Sequence, residues 1–404
     1  MKQKLCSRVG FIPNLLLHPH FVRLSKNRWN PNTYHKNGIE QGFNPDYLVT
    51  LVKSGNAIKS KRKPVIFTLA HLANCTDTQY SDLYAFVSRK GYFSESEPHY
   101  RTFSIKKRSG GNRIIHVPHP VLKIAQSWIA RHILDDGDVH DCAKAYKSGE
   151  SIIDNASPHC ESEWLLKLDI CDFFHNISER QVYYVFRKMQ YSSLLSLELA
   201  RLCTKIIDKR PNHRWNNNPK NYKIKEYSSD RVGSLPQGAP TSPSLSNIIC
   251  KDLDETLFML ALESNACYTR YADDLTFSFN NTTRKDIVNF KRKVSNELIK
   301  YGFKINAKKT RIVAPGARKI VTGLIVNGPV PTIPRELKDK IKADLYYCKK
   351  FGVANHCIKN KYQSIIGFSN HMRGMISFVN SVDKKLALKY KKAYDELNLP
   401  TLIL

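Results

Sequence analysis

Two adjacent aspartates, Asp273 and Asp274, sit inside YTRYADDLTFSF (residues 268–279), a run that otherwise reads as sheet. Tyr268, Tyr271, Leu275, Thr276 and Phe277 all favour strands. Neighbouring like charges repel and gain little from a pleated surface, so a strand is a poor place for them. An isolated Asp-Asp is most often an ordinary turn. Here aromatic strands flank the pair, and a third acid, Asp169, ends a second apolar run, WLLKLDICDFF (residues 164–174). That combination points to a site rather than a turn alone.

The order of elements says how the three acids meet. WLLKLD reads as a buried strand, and SERQVYYVFRKMQ as a helix with Ser178 as N-cap. SLPQGAPTSPSLSNIICKDLDETLFMLALE predicts a Gly/Pro turn running into one long helix. The strand-turn-strand around YADD follows. RKDIVNFKRKVSNELIKYGFKIN predicts helix then strand, and RKIVTGLIVNG a further strand. Helices on one face of an antiparallel sheet make an α+β split-βαβ layer. Upstream, residues 1–44 read as an extension with local structure only, and 45–97 as helical. YRTFSIKKRSGGNRIIHVP reads as a basic β-hairpin turning at Gly110-Gly111, with a helix from Val121. Residues 208–234 look like a polar, basic insertion, and everything past Pro334 like basic amphipathic helices.

In such a sheet the ends of the central strands lie side by side, which gathers Asp169, Asp273 and Asp274 in one small volume. Three unpaired carboxylates cost several kcal/mol, so the cluster implies divalent cations. Carboxylate, carbonyl and water ligation beside phosphate suits Mg²⁺. Two ions about 3.5–4 Å apart suit an in-line phosphoryl transfer.

Charge agrees. The chain carries 64 Lys+Arg against 35 Asp+Glu, a net +29, far above the single digits that solubility needs. A polyanion, nucleic acid first, is the implied partner. No apolar run approaches the ~18 residues of a membrane span, and FIPNLLLHPHF lacks the features of a signal peptide. The ten cysteines form no CxxC pair or Cys/His cluster, which fits a reducing cytoplasm.

These motifs resemble those of reverse transcriptases. RYADDLTFS resembles the catalytic turn, LKLDICDFF the first metal-binding strand, and SLPQGAPTSPSLSNI the substrate-binding turn and helix. GFKINAKKTRIV and VTGLIVNG follow in the family's order, and VTGLIVNG, with its two glycines, resembles the primer-grip hairpin. NASPH (residues 155–159) and VTG (residues 321–323) resemble the retron group. The likeness runs from about residue 60 onward. It leaves out the first 44 residues and 208–234.

The resemblance implies a right-hand polymerase with helical fingers, an antiparallel split-βαβ palm and a helical thumb. The expected division is an extension at 1–44, fingers at 45–163 with the basic hairpin at 101–117, palm at 164–319, and primer grip and thumb at 320–404. The implied activity is RNA-directed DNA synthesis with Asp169, Asp273 and Asp274 holding two Mg²⁺ ions. Lys309, or Lys308, resembles a lysine that protonates pyrophosphate. Lys107 and Arg113 would grip the triphosphate of the dNTP, Gln237 would lie against the incoming nucleotide or template base, and Phe174 would sit under its sugar with Phe173 in the core. Asn155, His159, Val321, Thr322 and Gly323 would bind RNA, with His159 reading equally well as the partner of a buried carbonyl.

A retron also implies a cognate structured non-coding RNA as template. Synthesis would start from an internal guanosine 2′-hydroxyl and give a branched RNA–DNA product (msDNA). An effector protein and a role in defence against phage would accompany it, with no membrane. Two rivals differ. An intron maturase or abortive-infection polymerase would share the core; a maturase usually continues past the thumb into a DNA-binding or endonuclease region, which is not read before Leu404. A non-catalytic RNA-binding scaffold has no reason to keep three repelling acids.

Overall fold

The computed structural model describes residues 29–89, 99–106, 112–135, 137–206 and 232–399. Lys107, the hairpin turn at Gly110-Gly111 and most of 208–234 lie outside the described residues.

Among the described residues four helices lead in: Pro31–Glu40, Pro45–Ser60, Leu69–Thr76 and Tyr80–Ser88. The first three start where a side chain takes up free first-turn amides: Asn30, Asn44 and Thr68 each accept such a bond. Proline at the first position of two of them loses no hydrogen bond there. Tyr34 and Leu48 are buried against Trp29 and Phe67. Local structure alone was the expectation for this stretch; from Trp29 on it is packed. Two glycines permit the close approach. A Cβ at Gly55 would lie 2.4 Å from the Trp29 ring, and one at Gly38 would lie 2.4 Å from Leu48.

The hairpin consists of β1 (Tyr100–Lys106) and β2 (Asn112–Pro118), paired antiparallel from Tyr100 opposite Pro118 to Lys106 opposite Asn112. The central sheet contains β3 (Trp164–Asp169), β4 (Ala266–Tyr271), β5 (Asp274–Phe279) and β6 (Arg311–Val313), in the order β4-β5-β3-β6, all antiparallel. Successive side chains point to opposite faces. On one face Leu166, Leu168, Leu275, Phe277 and Phe279 join the main core. Helix Arg284–Lys300 covers this face, with Phe290 edge-on to Phe277 at 5.0 Å and to Phe279 at 5.2 Å. The alternate positions Leu165, Lys167, Asp169, Asp274, Thr276 and Ser278 share the other face. The period of two thus puts both strand-end carboxylates on the more polar side.

A single core runs from Ile58 to Phe303, so packing is continuous across residue 164. Helices Arg335–Phe351, Val353–Lys359, Ile365–Val382 and Lys384–Asp395 build a second core, from Ile333 to Tyr394. Between the two lies a small cluster of Ala156, Leu165, Val321, Leu324 and Val326. Among the described residues no helix is long and apolar enough to cross a membrane.

Three local readings need correction. The long helix expected after the Gly/Pro turn is two, Ser242–Ile249 and Lys251–Glu263, broken at Cys250, whose ψ is 0°. The strand expected at GFKIN is a lone bridge between Ile170 and Ile305. RKIVTGLIV is not one strand but the hairpin that its resemblance to a primer grip implies, β7 (Ile320–Val321) and β8 (Leu324–Ile325), closed tightly because Thr322 and Gly323 both adopt left-handed backbone, at φ +45° and +85°.

Phe277 is fully buried and stacks on Tyr268 at 4.7 Å. Phe277→Ala should lower unfolding free energy by about 3–5 kcal/mol in urea titration. A loss below about 1 kcal/mol would show that this ring does not anchor the sheet.

Candidate active site

The register places Asp169 directly opposite Asp274, and Tyr271 opposite Asp274 on the other side. Ala272 and Asp273 form the connection between β4 and β5. Ala272 has φ +57°, a conformation alanine rarely adopts. The turn is tied to the neighbouring strand end by the Ile170 amide, which donates to the Asp273 carbonyl at 2.9 Å. The three acids expected to meet are therefore brought together at one end of the sheet.

Their surroundings are basic. Lys309 Nζ donates to Asp169 Oδ2 at 2.6 Å, and Asn306 Nδ2 to Oδ1 at 3.2 Å. Burial and then the charge of Asp273 push the Asp274 carboxyl up to about 6. Burial raises Asp273 as well; the Asp169 charge adds to this, while its own backbone amide, Lys309 and Arg113 oppose it. Burial would pull Lys309 down, but its bond to Asp169 and the charges of all three acids prevail and raise it.

All the donors are hard oxygens, and Asp274 is raised first by burial and then by the Asp273 charge, both of which a divalent cation offsets, so the residues fit such an ion. Among the described residues no three His, Cys, Asp or Glu side chains already converge as a ready-made cage. Lys309 takes up one oxygen of Asp169.

One buried ion pair beneath the turn gave no signal in the motifs. Arg270 and Asp254 are both fully buried. Arg270 Nε and Nη2 donate to the two Asp254 oxygens at 2.8 and 2.6 Å. Its Nη1 donates to Asn247 Oδ1 at 3.0 Å and to the Ala272 carbonyl at 3.2 Å. The Tyr268 hydroxyl also donates to Asp254, at 2.9 Å. The available clue was the position of Arg270, two residues after Tyr268 and so on the core face of β4.

The remaining residues divide. Arg113 is exposed on β2, and its charge reaches both Asp273 and Tyr146. Gln237 is half-buried; its carbonyl accepts the His116 amide at 2.8 Å, docking the LPQG turn on the hairpin. A Cβ at Gly238 would lie 2.9 Å from the His116 carbonyl, and φ there is +115°, so glycine is required. Phe173 is buried, 5.6 Å from Phe303 and 5.9 Å from the Arg270 guanidinium. The strand does not continue through it. The chain turns at Asp172 (φ +45°), and half-buried Phe174 opens a 3-10 turn with its ring 6.4 Å from Tyr146.

The expected RNA contacts are mostly interior, which corrects that reading. His159 is fully buried, with its two ring nitrogens on Ser278 Oγ at 2.7 Å and Thr269 Oγ1 at 2.8 Å. Asn155 is buried and donates to Thr322 Oγ1 at 3.5 Å. Val321 lies in the small cluster. These three side chains have no free surface to offer RNA. Half-buried Thr322 and exposed Gly323 do, at the hairpin tip.

A family model described as reverse transcriptase (RNA-dependent DNA polymerase) matches residues 105–347. The Retron Ec86 reverse transcriptase of Escherichia coli is 32% identical over 288 residues, covering 71% of this chain and 77% of the relative. The chain belongs to the retron-type reverse transcriptases. The Retron Ec83 reverse transcriptase of Escherichia coli is 31% identical over 319 residues, covering 76% of this chain and 91% of that one. The Retron Mx162 reverse transcriptase of Myxococcus xanthus is 33% identical over 269 residues, covering 63% of this chain; the chain spans 54% of that relative's length. Reverse transcriptases are RNA-directed DNA polymerases that work with divalent metal ions. The α+β sheet with its acidic end is the part of this chain that suits that chemistry.

Two outcomes test this account of the site. Asp254→Asn leaves Arg270 buried without its counter-charge and should cost about 3–5 kcal/mol of stability. A cost below about 1 kcal/mol would mean that the pair does not hold the turn. Burial also pushes His159 down to about 3 from its ordinary 6.5. The folded state refuses a proton that the unfolded chain accepts, so this contribution is present above about 6.5 and is lost as pH falls toward 3. His159→Gln should remove up to about 1.4 kcal/mol per pH unit from the slope of stability in that window. An unchanged slope would show His159 to be solvated.

Proposed function

We propose that the protein reverse-transcribes a cognate structured non-coding RNA, starting from an internal guanosine 2′-hydroxyl and yielding a branched RNA–DNA molecule. The observation that carries the reading is the Asp169–Asp274 cross-strand pair with Asp273 in the adjoining turn. In this reading residues 45–163 are fingers, 164–319 palm, and 320–404 primer grip and thumb. Two Mg²⁺ ions between Asp169, Asp273 and Asp274 would supply the charge that activates the priming hydroxyl and neutralises pyrophosphate.

The chain's own residues do the rest. Arg113, near enough to act on Asp273, clamps the triphosphate with a planar guanidinium. Lys107 joins it. Lys309, kept protonated by the acids around it, gives its proton to the leaving pyrophosphate. Gln237 shapes the nucleotide's seat through its turn. Phe174 fills the space that a ribose 2′-hydroxyl needs and offers it no hydrogen bond. Thr322 and Gly323 present the hairpin tip to RNA. The basic surplus suits the phosphates of the template and its duplex. A cytoplasmic setting, an effector protein and a role in phage defence complete the proposal.

Nucleic acid co-purifying with the protein should include DNA joined to RNA, shortened by a 2′-5′ debranching enzyme. Asp273→Asn should carry the same RNA without DNA, with synthesis down by orders of magnitude. Unbranched DNA would sink the priming route, and near-normal synthesis by Asp273→Asn would sink the mechanism.

A further inference from the structure

Tyr146 is in an unlikely conformation for its residue type. Its φ is +59°, in the left-handed region that asparagine and glycine tolerate and bulky residues avoid. The residue is 50% exposed and belongs to no core cluster. Yet the segment is held firmly on both sides. Arg270 pairs with it through backbone bonds, its amide donating to the Cys142 carbonyl and its carbonyl accepting from Lys144, each at 2.8 Å. Asn247 Nδ2 donates to the Ala145 carbonyl at 2.7 Å. Across the residue, Lys144 meets Glu150 at 3.0 Å and Lys147 meets Asp141 at 3.1 Å. Strain that the surroundings impose at this level, on an exposed aromatic, indicates a role for the ring.

The neighbours define that role. The Tyr146 and Phe174 ring centroids are 6.4 Å apart at 43°. Asp273 and Arg113 are both close enough for their charges to act on the Tyr146 hydroxyl. The residue therefore stands beside Phe174, near both the carboxylate turn and the hairpin cation. Phe173, whose ring is 5.4 Å from that of Phe174, is buried in the core.

We propose that Tyr146 is a specificity-determining positioning residue: its ring braces Phe174 upright and so closes the nucleotide pocket against ribose. The inference rests on the reading of Phe174 as the sugar gate. Without the brace, Phe174 leans away and the 2′-hydroxyl of a ribonucleotide fits. The hydroxyl of Tyr146 is not needed for this; the ring is.

The test is single-nucleotide extension of a DNA primer on an RNA template, with dATP and ATP compared by kcat/KM. Tyr146→Gly deletes the ring and suits the left-handed backbone, so its Tm should equal or exceed that of the unaltered protein. Its preference for dATP should drop by about tenfold or more, through a lower KM for ATP. Tyr146→Asn, which also tolerates this backbone, should do the same, and Tyr146→Phe should keep full discrimination. Phe174→Ala should lose it outright. If Phe174→Ala loses discrimination while Tyr146→Gly and Tyr146→Asn keep it, the brace is wrong and the gate stands. If Phe174→Ala keeps discrimination, the gate reading falls and the brace with it. A lower Tm in both ring-less variants with unchanged selectivity would make Tyr146 a structural residue and overturn the proposal.

Discussion

The bidentate pair of Arg270 with Asp254 is the interaction on which the acidic end of the sheet depends. A buried ion pair is a weak source of net stability, because desolvating both charges offsets most of their attraction. Its value here is geometric. Five donors in a rigid fork let one guanidinium reach helix Lys251–Glu263 through Asp254, helix Ser242–Ile249 through Asn247, and the turn through the Ala272 carbonyl. Lysine has neither the reach nor the fixed angles. The strained φ of Ala272 persists because its carbonyl is held from below while Asp273 is held by Ile170. The same Arg270 backbone carries the segment that ends in Tyr146, so a single residue sets both the carboxylates and the wall beside them.

Strand alternation then separates two incompatible demands. The core needs apolar side chains, and the chemistry needs charges that repel. Leu168 and Leu275 go one way while Asp169 and Asp274 go the other, one residue along each strand. A one-residue slip in the β3–β5 register would bury the acids and expose the leucines, so the fold and the site enforce the same register. Lys309 and Asn306 on the following loop take up the Asp169 oxygens and limit the cost of the cluster.

Much of this was legible in the sequence where local signals carried it. The alternation of YTRYADDLTFSF, the Ser178 cap and the Gly/Pro turn before helix Ser242–Ile249 are short-range patterns with direct physical causes. The misses were long-range. Arg270 in a strand looks like a solvated charge until Asp254, sixteen residues back on a helix, is placed against it. His159 reads equally as an RNA ligand or a buried hydrogen-bonding residue until Thr269 and Ser278, 110 and 119 residues away, take both its nitrogens. The packing of Trp29 and Tyr34 depends on Phe67 and has no local signature. The break at Cys250 lacks the glycine or proline that usually announces one.

The two segments singled out by their resemblance to retrons have a structural task that does not depend on touching RNA. NASPH and the VTG hairpin lie more than 160 residues apart, yet Asn155 reaches the Thr322 hydroxyl, which in turn donates to the Ile152 carbonyl at 3.2 Å. Ala156, Val321 and Leu324 pack with Leu165 of β3, and Phe378 and Val382 of helix Ile365–Val382 close over them. This small cluster is thus a joint. It fastens the C-terminal helical unit to the same strand, and the same face, that ends at Asp169. A polymerase must hold a primer end within a few tenths of an ångström of its carboxylates while gripping the duplex many residues away. Burying Asn155, His159 and Val321 at the joint serves that need better than exposing them, since a rigid hinge transmits the position of the helices to the strand. The exposed hairpin tip at Thr322 and Gly323 stands at a height set by the packing of Val321 and Leu324 beneath it.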